Sequence, residues 1–101
     1  MTANDEVPVL EKELAAMERR AAAATRGPWQ SFVEGRNHES GDSMIRLGGL
    51  DDACPDMYVT HEKRPAPAAD LDFIAHARQD LPRLVAEVRR LRSIIGKSDP
   101  D

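Results

Sequence analysis

Leu10, Leu14, Met17, Ala21 and Ala24 recur at alternating steps of four and three in an otherwise polar stretch. On an α-helix such residues form one stripe. Glu11 and Glu13 stand early and Arg19 and Arg20 late, as the helix dipole favours. The pattern predicts a helix over residues 6–25, with Asn4 or Asp5 as its cap and Pro8 in its first turn. Gly27 and Pro28 stop it, because glycine takes the left-handed cap conformation and proline cannot continue the hydrogen bonding. Trp29 follows this stop directly. It is expected to fold back as a core plug between the first helix and the sheet, with ligand stacking as the other role open to it.

After Trp29 the period changes to two. "WQSFVEG" alternates loosely, "SMIRLGG" sets Ile45 and Leu47 on one face, and "DMYVTHE" sets Met57, Val59 and His61 against Tyr58, Thr60 and Glu62. "RNHESGD" and "GGLDDACPD" have turn composition. A three-stranded antiparallel meander is the simplest topology. "EKRPAPAAD" is then an extended connector, since each proline also keeps the residue before it out of the helical region.

The last third reads as two helices. Asp70 is expected to cap the first, in which Leu71, Ile74, Ala75 and Arg78 share a side; Asp80 and Pro82 are expected to start the second. Leu81, Leu84, Val88, Leu91 and Ile95 then step by three, four, three and four, with Val85 widening the stripe. Such spacing forms a seam between helices, and either the first helix or a second copy of this one could fill it. The predicted fold is α+β: an N-terminal helix, a three-stranded antiparallel meander, and two C-terminal helices on one sheet face.

A chain of 101 residues predicts one domain, with residues 1–5 and 97–101 as disordered tails. Only four aromatic residues are present, Trp29, Phe32, Tyr58 and Phe73. The core of so small a chain gains from a partner subunit, so a homodimer is expected. The net charge of −4 argues against general binding of nucleic acid, and the basic side given by Arg83, Arg89, Arg90, Arg92 and Lys97 reads as a solvated face. One cysteine, Cys54, leaves no internal disulfide and no zinc spacing. Neither a secretory signal nor an apolar run of ~18 residues is seen, so a cytoplasmic location without membrane insertion is expected.

Chemistry is sparse. "EGRNHESGD" gathers Arg36, His38, Glu39, Ser40 and Asp42, but a flexible turn seldom forces ligands to converge on an ion, and a solvated turn is the plainer reading. His61 and Glu62 are strand neighbours and point apart; His76 reads as a packing residue, and Cys54 has no activating neighbour. No phosphate-binding loop, nucleophile elbow or H-E-x-x-H is present. The expectation is a binding protein, without cofactor or metal, that holds a protein partner or a small anionic ligand through Trp29, Arg36, His38 and Arg46. The alternative is a small hydrolase using His38 with Glu39 or Asp42.

Two segments carry a family resemblance: the alanine-rich helix ending in "AAAATRGPW", and "ADLDFIAHARQDLPRLVAEVRRLR". Over residues 15–29 and 69–92 the chain resembles small actinobacterial and phage proteins of the Ead-like accessory type. That group usually has proline where Arg26 precedes the glycine here. The resemblance implies an accessory role and supplies no reaction or site.

Overall fold

The computed structural model describes residues 7–39, 41–49 and 54–96. Both tails expected to be disordered, the caps expected at Asn4 or Asp5, and Ser40 lie outside the described residues. In chain order the elements are α1 (Glu11–Ala23), β1 (Gln30–Phe32), β2 (Met44–Arg46), β3 (Asp56–Met57) and α2 (Ala68–Ile95). The fold is α+β. Its sheet runs β1-β2-β3, antiparallel throughout, with Ser31 opposite Ile45 and Ile45 opposite Met57.

Helix α1 begins after Pro8 rather than around it. The Leu10 carbonyl accepts from the Glu13 and Leu14 amides at 2.9 and 3.0 Å, and Glu13 Oε1 accepts from the Leu10 N–H at 2.8 Å. Glu13 thereby satisfies a backbone donor that the helix start leaves without an intrahelical partner.

The C-terminal region forms one helix of 28 residues with Pro82 inside it, in place of the two expected. Proline removes one amide donor, but its fixed φ is itself helical. Ala75, Ala77, Arg78 and Gln79 before it, and Arg83, Leu84, Ala86 and Glu87 after it, include strong helix formers that carry the helix across the gap. Asp70 lies in the first turn of α2 rather than capping it; the Pro67 carbonyl accepts from the Asp70 and Leu71 amides at 3.0 and 3.2 Å. Gly96, at φ +77°, closes α2 by donating to the Arg92 carbonyl at 3.0 Å. That left-handed conformation costs little only for glycine.

Two compact units are present, divided after Ala23 and again after Asp80. The unit Ala24–Asp80 contains the sheet and the start of α2. Its core is Ile45, Leu47, Ala66, Leu71 and Ala75, with Trp29, Val33, Cys54, Met57, Val59 and Ile74 packed against it. Register explains the composition. Ser31, Ile45 and Met57 share the inner face, while Phe32, Met44 and Arg46 take the other. Leu71 and Ala75, one turn apart on α2, cover that inner face.

In the other unit α1 is linked by ion pairs to the part of α2 beyond Leu81. Arg89 pairs with both carboxylate oxygens of Glu11 and donates to Glu18 Oε1 at 2.5 Å. Glu11 first, and then Glu18, raises the guanidinium pKa above its usual value. Arg92 donates to the Val9 carbonyl. Leu14 and Val85 are buried. No helix among the described residues is long and apolar enough to cross a membrane.

Candidate functional site

Strand β1 places a hydroxyl where an aliphatic side chain would be usual. Ser31 is 6% exposed and sits beside Ile45 on the inner face, so its polar atom needs a partner. Asp72 on α2 supplies one: Ser31 Oγ donates to Asp72 Oδ1 at 2.5 Å. Arg36, in the turn after β1, holds the same carboxylate with two prongs, Nη2 to Oδ1 at 2.7 Å and Nη1 to Oδ2 at 3.0 Å. Nη2 also donates to Ser31 Oγ at 3.3 Å. Arg36 first and Ser31 second hold the Asp72 carboxyl well below the usual carboxylate range, and Asp72 in turn raises the Arg36 pKa.

The turn that aims Arg36 is built locally. Asn37 Oδ1 accepts from the Val33 amide at 2.8 Å and from Arg36 Nε at 3.3 Å, while the Val33 carbonyl accepts from the Arg36 and Asn37 amides at 2.9 Å. Trp29 is held from α2 in a complementary way. Gln79 Oε1 accepts from the Trp29 N–H at 2.7 Å, and Gln79 Nε2 donates to the Trp29 carbonyl at 3.1 Å. The indole N–H donates to the Thr25 carbonyl at 3.0 Å, which also accepts from Arg78 Nε at 3.0 Å. The Gly27–Pro28 peptide between these anchors is cis.

These side chains enclose a cleft of about 370 Å³ lined by Trp29, Gln30, Ser31, Arg36, Asn37, Asp72 and His76. His76 Nδ1 lies 2.8 Å from the Asp72 carbonyl oxygen. A carbonyl only accepts, so Nδ1 carries the proton and a neutral ring keeps Nε2 as an acceptor.

The residues singled out in the sequence separate into two pairs. Trp29 and Arg36 line the cleft together. His38 and Arg46 meet instead around Phe32, on the opposite sheet face from Ser31. The Arg46 guanidinium lies 5.2 Å from the Phe32 ring centre and pairs with Asp56 at 3.2 Å. His38 lies 6.4 Å from the Phe32 ring, and its Nδ1 is 3.8 Å from Glu34 Oε2. Glu34 also accepts from the Gly41 amide at 2.7 Å. Glu39 and Asp42 are exposed.

Ser31, Asn37, Asp72, His76 and Gln79 were not singled out as site residues from the sequence. A signal was present for three of them: Asp72, His76 and Gln79 step by four and three, a polar stripe on α2. Ser31 had a fainter one, as the polar residue at an inward position of "WQSFV".

Serine, aspartate and histidine beside one cleft suggest acyl-transfer chemistry, but the hydrogen bonding runs the other way. The Ser31 hydroxyl gives its one proton to a carboxylate, and a carboxylate of so low a pKa is a weak base. What the arrangement does is fix a polar surface beside an indole. No group of three or more His, Cys, Asp or Glu side chains that could hold a metal ion occurs among the described residues. No family model, curated protein or solved structure matches the chain.

Proposed function

We propose that this chain is an accessory binding protein, working as a homodimer, whose cleft between β1, the following turn and α2 receives a polar segment of a partner protein. The accessory role follows the resemblance of residues 15–29 and 69–92 to Ead-like phage proteins. One observation carries the choice of ligand: the permanent cation lining the cleft, Arg36, is already balanced by Asp72 through two hydrogen bonds. A free anion therefore meets no surplus positive charge there. A peptide segment needs donors and acceptors rather than charge, and the side-chain amides of Gln30 and Asn37 and the His76 imidazole offer both beside the apolar face of the indole. The Ser31 proton is committed to the Asp72 carboxylate, which favours binding over catalysis.

Trp29 is the only tryptophan and lines the cleft, so tryptophan emission from the chain comes from that one position. Peptides selected from a displayed random library are expected to shift that emission, with the shift lost in His76→Ala, while millimolar phosphate leaves it unchanged. A response to phosphate, with selected peptides producing none, contradicts the reading. A turnover abolished by His38→Ala would instead support the hydrolase.

A further inference from the structure

We infer that residues Leu81–Ile95 of α2 pair with the same segment of a second copy, parallel and in register. This rests on the homodimer reading above and specifies its surface. Val85, Arg89 and Arg92 fall within a sector of roughly 60° at about 100° per residue. This sector is engaged within the chain: Val85 is buried, Arg89 holds Glu11 and Glu18, and Arg92 meets the Val9 carbonyl. Leu84 and Leu91 lie roughly 100–120° round from Val85 by the same geometry. They are 61% and 44% exposed, and Ile94 and Ile95 are 67% and 62% exposed.

Three features select an identical partner. The steps of three and four from Leu81 to Ile95 keep the stripe against a matching stripe along its length. Taking Leu81 as the first position of a heptad puts Val88 and Ile95 at the equivalent positions and Leu84 and Leu91 at the fourth. β-Branched residues at two of the three first positions, Val88 and Ile95, with leucine at both fourth positions favour two parallel strands. Charge agrees. A parallel pair brings Glu87 beside the second copy's Arg92, five residues on, twice by symmetry; Arg92 meets the Val9 carbonyl through Nη2 alone in that bond, and a guanidinium carries further N–H groups. Glu87 already accepts from Arg90 at 2.5 Å, and a carboxylate has lone pairs for a further donor.

Sedimentation of the full chain across micromolar concentrations tests this. The wild type is expected to be a dimer, and Leu84→Asp with Leu91→Asp a folded monomer by circular dichroism, with dissociation strengthened at least about a hundredfold. Orientation is read by cross-linking in a Cys54→Ser background. Leu81→Cys and Ile95→Cys are each expected to form a disulfide with their own copy on oxidation. A dimer that persists in the double aspartate variant overturns the seam while leaving the homodimer standing; a monomeric wild type overturns both. Cross-links that form only when the two cysteine variants are mixed overturn the parallel arrangement.

Discussion

Ser31 Oγ lies 2.5 Å from Asp72 Oδ1, joining β1 to α2 across 41 residues of sequence. Because Arg36 grips the same carboxylate from the turn between β1 and β2, three separate stretches of chain meet on two oxygens. Replacing Ser31 by alanine removes one donor to an ionised group, and the expected loss is about 1–2 kcal/mol. Urea unfolding of Ser31→Ala against wild type measures it, and an unchanged midpoint contradicts the clamp.

The clamp also predicts a pH dependence. The Asp72 pKa is lower in the folded chain, chiefly through Arg36 and next through Ser31. Its stabilising contribution is therefore complete above the ordinary aspartate value of about 3.9 and is lost as pH falls below that value toward the lowered one. The urea midpoint of wild type is expected to exceed that of Asp72→Asn at neutral pH, and the gap to close as the solution is taken below about pH 4. A gap that stays constant through that range contradicts the pairing.

Substitutions at one buried and one exposed apolar residue separate the inner face of the sheet from the surface. Ile45 is fully buried at 0% exposure, whereas Phe73 on α2 is 76% exposed. Ile45→Ala is expected to cost about 2–5 kcal/mol and Phe73→Ala to stay within about 0.5 kcal/mol. Thermal melts of the two variants decide it, and equal losses contradict the described core.

Pro82 gives the test of a single C-terminal helix. Inside a helix, proline is less favourable than alanine by about 3 kcal/mol, part of which local adjustment of the helix recovers. Pro82→Ala is therefore expected to stabilise the chain and to raise its helical circular dichroism signal. At the first turn of a separate helix the same change would be neutral or destabilising, so that result contradicts continuity.

What the sequence disclosed follows from the range of each interaction. The apolar stripe of α1 and the three short strands are set by neighbouring residues and were legible, whereas α1 ends at Ala23, four residues before Gly27, which is not among the glycines of positive φ and so does not cap it as expected. The continuity of α2 was not, because Asp80 and Pro82 carry the local signature of a helix start and the helix-forming residues on both sides outweigh it. For the site, Trp29 and Arg36 were legible as residue types with reach, and both line the cleft. That Arg46 turns to Phe32 depends on which face of β2 it occupies, and a shift of one residue in register reverses that, while His38 reaches the same ring from the turn after β1. Asp72 was hidden because its role comes from Ser31 and Arg36, 41 and 36 residues away.

The most direct measurement is a titration of the amide spectrum of the ¹⁵N-labelled chain with a peptide selected for binding. Shifts are expected to concentrate at Trp29–Asn37 and along Asp72–Gln79, and to vanish in Arg36→Ala and His76→Ala variants that remain folded. Shifts confined to the Phe32 side, at His38 and Arg46, or an unperturbed spectrum with every selected peptide, would contradict a binding cleft built on the Asp72 clamp.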